Sequence, residues 1–383
     1  DNYNVAVGHN AGKLVTTGTR NVIIGGLAGD ALTTGGFNIA IGYAALSTED
    51  GHGHNIAIGR EALFAQNADA EAYNVAIGDL AGKSVTTGVR NVIVGGLAGD
   101  ALTTGNQNIA IGYNALSTED AGGYNVAIGG HALETQDAGD AYNVAVGYYA
   151  GKSISTGVQN TIVGGLAGDA LTTGQQNIAI GYAALTSETT GKRSVAIGNN
   201  SLESQNNTSS GDMYNVGVGF YSGKNITTGI RNIAIGAFAG DALTTGNNNV
   251  AIGYNALSAE DTQGQAVAIG YEALKNQNAT SISYNIAIGS QTGKEVTTGI
   301  VNTIIGGLAG DALTTGSAHV AIGTQALSTE DVGNSCIAIG YQALLNQNVD
   351  GEVHNIAIGR GTGKEITTGT LNTIVGGLAG GAL

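Results

Sequence analysis

A five-residue pattern recurs along the whole chain: one polar residue, three residues with alternating side chains, and a glycine. It first appears as Asn-Val-Ala-Val-Gly at residues 4–8, returns as Asn-Val-Ile-Ile-Gly at 21–25, and ends as Asn-Thr-Ile-Val-Gly at 372–376. There are 22 copies, and the closing glycine is present in every one. Sequence repeats at a fixed period indicate a solenoid rather than a globular domain.

The first residue of each copy, which we call the anchor and number as position 0 of its coil, recurs in groups of four. The step is 17 residues within a group and 18 to 21 between groups. The extra residues all lie in the loop that leaves the fourth coil, where a solenoid tolerates insertion. We therefore predict one continuous solenoid over residues 1–383, and we expect it to be a fragment of a longer chain. Its four-coil super-repeats cover residues 4–73, 74–142, 143–214, 215–284 and 285–354, with a partial one at 355–383.

Each copy predicts a short β-strand over positions +1 to +3. Side chains alternate across a strand, so Val5 and Val7 share one face and Ala6 takes the other. We interpret positions +1 and +3 as the inner face, which leaves position +2 outside as an apolar column. Soluble monomers rarely expose such a column, so we predict an interface between copies of the chain. The predicted interface residues in the first eight coils are Ala6, Ile23, Ala40, Ala57, Ala76, Ile93, Ala110 and Ala127.

The composition excludes several classes of partner and stabilising bond. The net charge is −15 without a basic cluster, which argues against binding to nucleic acid or to anionic membrane surfaces. Cys336 is the one cysteine, so no disulfide can form within the chain. No apolar run approaches the roughly 20 residues that span a bilayer, so we expect no membrane segment here.

A charge pattern repeats at position +9, where first coils carry lysine and second coils carry aspartate. Stacked coils would bring each lysine beside an aspartate, and we predict surface ion pairs that set the register of the coils. The predicted pairs are Lys13–Asp30, Lys83–Asp100, Lys152–Asp169, Lys224–Asp241 and Lys294–Asp311.

Candidate catalytic and metal chemistry is sparse. His52 and His54 are close in sequence, but the equivalent places in the next super-repeat are Gly122 and Tyr124. The histidines occupy unrelated places in their coils, so no Ser-His-Asp or Cys-His arrangement can be proposed. The glycine-rich segment at residues 25–30 lacks the Gly-Lys-Ser/Thr of a phosphate loop. We predict no enzyme activity, no metal and no cofactor.

The variable loops that leave the fourth coils are the more plausible contact sites. They are largely polar, and four of them end in a tyrosine suited to carbohydrate or protein contacts. The alternative is a solvated edge loop with a tyrosine that packs on its own chain. The candidate contact residues are Tyr73, Tyr142, Tyr214 and Tyr284.

The anchors resemble a known family. Asn-Val-Ala-Ile-Gly at residues 74–78 followed by Ala81, and Ser-Val-Ala-Ile-Gly at residues 194–198 followed by Ser201, resemble the head repeats of trimeric autotransporter adhesins. Similar repeats occur in phage tail fibres. The resemblance implies a left-handed parallel β-roll, a homotrimer, and strands that face the trimer axis.

These observations favour an extracellular fibrous protein, located at a cell or virion surface. In this hypothesis a trimeric β-roll rod attaches to surfaces or host receptors, with a host-surface protein or glycan as partner. The alternative is a phage tail fibre or extracellular filament subunit with a purely structural role. Flanking sequence would separate them, because an adhesin carries a membrane anchor and a phage fibre a virion-attachment domain.

Overall fold

The computed structural model describes residues 2–209 and 211–380. The chain is all-β, with 22 parallel strands stacked as a β-solenoid and about 17 residues in each coil. The predicted all-β parallel solenoid, its coil number and its coil length are therefore confirmed. The described ranges contain no helix, and hence none with the length and apolar character needed to cross a membrane.

The chain divides into two compact units. Unit 1 comprises Asp1–Lys192 with Thr208–Gly211, and unit 2 comprises Arg193–Asn207 with Asp212–Leu383. The prediction of one continuous solenoid stays a prediction. Strands β1 to β11, in unit 1, are Val5–Val7, Val22–Ile24, Ile39–Ile41, Ile56–Ile58, Val75–Ile77, Val92–Val94, Ile109–Ile111, Val126–Ile128, Val144–Val146, Thr161–Val163 and Ile178–Ile180. Strands β12 to β22, in unit 2, are Val195–Ile197, Val216–Val218, Ile233–Ile235, Val250–Ile252, Val267–Ile269, Ile286–Ile288, Thr303–Ile305, Val320–Ile322, Ile337–Ile339, Ile356–Ile358 and Thr373–Val375.

Within each unit every strand pairs in parallel with the next strand along the chain, in an unshifted register. In β5 and β6, for example, Val75 pairs with Val92 and Ile77 with Val94. The rest of each coil consists of turns, which backbone hydrogen bonds also join to the adjacent coil. Equivalent positions of successive coils therefore lie above one another, and any residue type repeated at one position becomes a column.

The glycine at position +4 sets the close approach of successive coils. Its φ lies between +125° and +142° in all copies, a region that L side chains rarely adopt. A Cβ added at Gly95 would lie 2.5 Å from the carbonyl oxygen of Gly112 in the next coil. The strand end therefore requires glycine for both conformation and space.

The interior of the coil is filled by a large side chain that lies at one of two positions, depending on the coil. Second coils place glycine at position +8, and a Cβ at Gly99 would lie 2.9 Å from Cδ1 of Leu102 at position +11. Third coils instead place a leucine at position +8, such as Leu116, and a polar residue at position +11, such as Glu119. Both leucines are fully buried. The large side chain thus alternates between two positions, which keeps the filled volume similar.

Candidate binding surface

Position +2, which we predicted to lie outside, lies inside the coil. In the second to eighth coils its residues are at most 1% exposed: Ile23, Ala40, Ala57, Ala76, Ile93, Ala110 and Ala127. Ala6 is exposed because it belongs to the first coil, which has a neighbouring coil on one side only. The interior is narrow, since a Cβ at Gly82 would lie 2.8 Å from Cδ1 of Ile93. The smaller side chains therefore point inwards, and the predicted interface column was wrong.

Positions +1 and +3 point outwards instead, and together they form the surface that we call the strand face. All of these positions hold Val or Ile, except for Thr161, Thr303 and Thr373 at position +1. The exposed fraction is 38% at Ile77 and 37% at Ile288, although adjacent coils cover part of each side chain. In both units the strand face is thus aliphatic and carries no charged residue.

Two columns of residues border the strand face. The leading flank is position −1, directly before each anchor, and the trailing flank is position +5, directly after the strand-end glycine. Every arginine of the chain lies on a flank: Arg20, Arg90, Arg193 and Arg231 on the leading one, Arg60 and Arg360 on the trailing one. Thirteen of the 15 tyrosines, all but Tyr149 and Tyr221, also lie there. The flanks carry no lysine, and Asp79 is their one acidic residue, a composition typical of protein interfaces.

The four tyrosines that we predicted to make contacts lie on the leading flank and are 45% to 53% exposed: Tyr73, Tyr142, Tyr214 and Tyr284. Two of them stack on the preceding coil. The ring centroids of Tyr73 and His54 are 4.9 Å apart, and those of Tyr142 and Tyr124 are 5.0 Å apart. Within the described residues Tyr284 has no ring or cation partner. The stacked rings stabilise adjacent coils.

Most of the variable loops are tied back to the preceding coil by an acidic side chain. Oε2 of Glu71 accepts a hydrogen bond of 2.9 Å from the backbone N–H of Gly53 and lies 2.7 Å from Nδ1 of His54. Equivalent contacts join Asp140 to Gly123, Asp212 to Arg193 and Glu352 to Ser335. These contacts were not predicted from the sequence, although the acid recurs three residues before the next anchor.

The fourth variable loop, residues 277–284, departs from this arrangement. Three residues before the next anchor, where the other variable loops carry an acidic residue, this loop carries Ile282, which is 42% exposed. This residue borders a cleft of about 200 Å³, whose walls include Asn248, Gln263 and Gln265. This loop therefore combines an exposed aliphatic residue with Tyr284, which has no ring partner among the described residues.

The anchor asparagines form a buried ladder, which is a further feature that the sequence analysis missed. Nδ2 of Asn91 donates a hydrogen bond of 2.8 Å to the carbonyl of Gly105 in the same coil. Oδ1 of Asn91 accepts a hydrogen bond of 2.9 Å from the backbone N–H of Asn108 in the next coil. Most of these asparagines therefore both close their own coil and join it to the following one, whereas Nδ2 of Asn55 and of Asn125 is buried without a hydrogen-bond partner.

His319 takes the place of an asparagine in this ladder. Its Nδ1 accepts a hydrogen bond of 3.2 Å from the backbone N–H of Cys336, so Nε2 carries the proton and donates to the carbonyl of Gly333 at 2.6 Å. Burial lowers the pKa of His319 to about 4. The ring is thus neutral near pH 7, and both of its nitrogens have structural partners.

Position +11 of the third coils holds a buried glutamate: Glu49, Glu119, Glu188, Glu260 and Glu330. Oε1 of Glu119 accepts a hydrogen bond of 2.7 Å from the backbone N–H of Gly122, and Oε2 accepts one of 3.3 Å from Gln136. Oε1 of Gln136 in turn accepts a hydrogen bond from Nδ2 of Asn143 at 2.9 Å. Burial raises the pKa of Glu119, and it has the same effect on Glu49, Glu260 and Glu330. The regular alternation of aliphatic, aliphatic, Glu and Gln at this position is visible in the sequence and could have revealed the column.

The predicted ion pairs do not form. Throughout residues 2–209 and 211–380, no salt bridge joins a position +9 lysine to its predicted aspartate: Lys13–Asp30, Lys83–Asp100, Lys152–Asp169, Lys224–Asp241 or Lys294–Asp311. Lysines pair with glutamates of the preceding fourth coil instead, as in Lys83–Glu61 at 2.8 Å and Lys294–Glu272 at 3.0 Å. Burial raises the pKa of Asp100 and Asp241, and Oδ1 of Asp241 is buried without a hydrogen-bond partner.

Residues with metal-ligand chemistry are mostly engaged with one another. Nδ1 of His52 lies 3.7 Å from Oε1 of Glu49, and His54 contacts Glu71. In the described part of the chain, one group of three residues has its ligand atoms within 4.8 Å of one another: Glu119, Asp120 and Asp137. Because Glu119 already accepts hydrogen bonds from Gln136 and from backbone N–H groups, this cluster is explained without an ion.

Comparison with known proteins adds no family assignment to this geometry. The chain matches no protein-family model, no curated protein and no solved structure.

Proposed function

We propose that the protein is an extracellular fibrous protein whose copies associate side by side through the strand face, as a trimeric β-roll used for attachment to surfaces or host receptors. The observation that carries the proposal is the uncharged strand face in both units, which is aliphatic except for three threonines. An exposed aliphatic surface of this extent is favourable only when another surface covers it. A second and a third copy of the same chain fit the repeat, because equivalent coils lie level with one another.

The size of the strand face supports the proposal that other copies of the chain cover it. In each unit it is eleven strands long and three residues wide, and strand spacings of about 4.8 Å and residue spacings of about 3.3 Å give roughly 500 Å². The strand face of one unit against the same face of another copy would bury roughly 1,000 Å² in total, about the area that a biological interface requires. The area is thus sufficient for a stable association.

The distribution of charge also supports association of copies through the strand face. Chains with a net charge of −15 repel one another, but the strand face is uncharged and its flanks carry arginine and tyrosine with a single aspartate. The acidic residues lie almost entirely on other sides of the coil. Close approach through the strand face therefore minimises repulsion between copies.

The alternative, a phage tail fibre or extracellular filament with a purely structural role, is favoured by a different observation. Most variable loops are tied back to the preceding coil, and Tyr73 and Tyr142 are stacked on neighbouring rings. Such side chains are less free to bind a ligand. Binding of the assembled protein to immobilised host-surface glycans and proteins would favour the attachment role, and its absence the structural one.

Charge insertion into the strand face tests the association. Ile77 and Ile180 are outward residues that are 38% and 36% exposed, so Ile77→Asp with Ile180→Asp should leave the coil folded. We expect this double variant to sediment as a single chain where the unmodified protein sediments as a trimer. The matched control is Thr87→Asp with Thr104→Asp, which adds the same charge at exposed positions away from the strand face. Equal masses for both variants would refute the proposal.

A further inference from the structure

The trailing flank of unit 1 presents a single carboxylate next to the strand face. Asp79 is 56% exposed and is held in a fixed orientation by Arg60. Nε of Arg60 donates to Oδ1 of Asp79 at 2.8 Å, and a second guanidinium nitrogen donates to Oδ2 at 2.8 Å. The carboxylate is thus pre-oriented on the surface, with its outer side free to accept a further hydrogen bond.

The leading flank of the same unit presents an arginine with no partner. Arg90 is exposed, and its guanidinium forms no hydrogen bond, ion pair or ring contact with any described residue. Two other arginines of this flank, Arg20 and Arg193, are engaged within the chain. Arg20 lies 5.0 Å from the ring centre of Phe37, and Arg193 pairs with Asp212.

Rotational symmetry brings these two flanks together. When copies are related by rotation about an axis parallel to the solenoid, the leading flank of each copy meets the trailing flank of the next. Asp79 lies in the fifth coil, and Arg90 is the last residue of that coil, directly before Asn91. Eleven of the 17 residues of a coil separate them, so with a rise of about 4.8 Å per coil an unshifted parallel arrangement leaves Arg90 about 3 Å from the level of Asp79, a distance that an arginine side chain can span.

We propose that Arg90 of one copy forms an ion pair with Asp79 of the adjacent copy, and that this pair favours a parallel association. The proposal rests on the side-by-side association through the strand face described above. An antiparallel arrangement would bring leading flanks together, where there is no acidic residue.

A charge-reversal cycle tests the pair. Dissociation constants of the oligomer would be measured by sedimentation for the unmodified protein, Arg90→Glu, Asp79→Arg and the double variant. We expect each single change to weaken association by about tenfold and the double variant to recover most of that loss. Both residues are exposed, so the single chains should keep their circular dichroism spectrum.

The chain supplies a matched control in unit 2. Arg231 is also an exposed leading-flank arginine without a side-chain partner among the described residues, but the trailing-flank residue of its coil is Phe220. We expect Arg231→Glu to weaken association much less than Arg90→Glu. Equal effects of these two variants, or no recovery in the double variant, would overturn the ion pair while the association stands. A protein that stays monomeric at all concentrations would overturn the association itself.

Discussion

The inner and outer sides of the same strand differ in a way that reverses the usual arrangement of a sheet protein. In β5 the inner residue Ala76 is 0% exposed, whereas its outer neighbour Ile77 is 38% exposed. Large aliphatic side chains lie outside, and small side chains lie inside with buried amides and carboxyls. The coil is too narrow for a large inward residue at every position, so the bulk of the aliphatic volume points outwards. The interior holds one chain together, and the exterior provides a reason for several chains to associate.

The largest expected effect comes from the glycine that permits this narrow coil. Gly95→Ala would introduce a Cβ 2.5 Å from the carbonyl oxygen of Gly112 at a φ of +136°. We expect a loss of at least about 4 kcal/mol in the free energy of unfolding, because neither backbone segment can move away. Urea unfolding followed by circular dichroism measures it.

The control for this change is Gly139→Ala. Gly139 also has a positive φ, of +62°, but no heavy atom lies within 4 Å of the added Cβ. A loss of about 1 kcal/mol is expected from backbone conformation alone. Similar losses at Gly95 and Gly139 would show that close packing of coils is not the constraint.

The second prediction separates the two sides of one strand, β6. Ile93 is an inward residue with 0% exposure, so Ile93→Ala should cost about 3 kcal/mol by leaving a cavity. Val92 is its outward neighbour, and Val92→Ala should change the unfolding of the dissociated chain by less than about 1 kcal/mol. The same Val92→Ala change should weaken association. If the two substitutions destabilised the single chain equally, the assignment of inside and outside would be wrong.

The third prediction concerns the histidine of the asparagine ladder. The folded-state pKa of His319 is about 4, below the usual 6.5, so its contribution to stability is present above pH 6.5 and is lost as the pH falls towards 4. When the pH is lowered from 8 to 5, the uptake of a proton by His319 in the unfolded chain should lower the free energy of unfolding by about 2 kcal/mol. His319→Asn should remove that loss, since an asparagine supplies the same donor and acceptor. An unchanged acid dependence in urea unfolding would contradict this assignment.

The smallest expected effect is the pH dependence of stability that comes from the buried glutamates. Its sign is opposite to that of His319, because these groups destabilise the fold as the pH rises. Burial raises the pKa of Glu49, Glu119, Glu260 and Glu330 in the folded state. Their contribution is therefore present below the unfolded pKa of about 4.5 and is lost as the pH rises through the folded pKa. Changing all four to glutamine should flatten the decline of the urea midpoint between pH 5 and pH 7.5. A single exposed change, Glu352→Gln, controls for the removal of negative charge.

The sequence predicted the number and spacing of the coils well, because the anchor and the strand-end glycine are each fixed by the backbone. An asparagine that bonds to two coils and a glycine at a φ near +135° tolerate few replacements. Their periodicity therefore gives the strand positions directly.

The direction of each side chain could not be predicted in the same way. Alternation along Val75–Ile77 separates two faces, but both are apolar, so the pattern does not say which is inside. The informative signal was size, since the inner column includes Gly217 and is mostly alanine. The same limit applies to Lys83 and Asp100, whose equal offsets place the backbones one above the other without fixing where the side chains point.

The measurement that tests the account most directly is the solution mass of the unmodified protein by light scattering across a dilution series. The account predicts the mass of three chains, stable to dilution, and a single-chain mass for the variant with Ile77→Asp and Ile180→Asp. A single-chain mass for the unmodified protein at every concentration would contradict it, because the aliphatic strand face would then remain exposed to water.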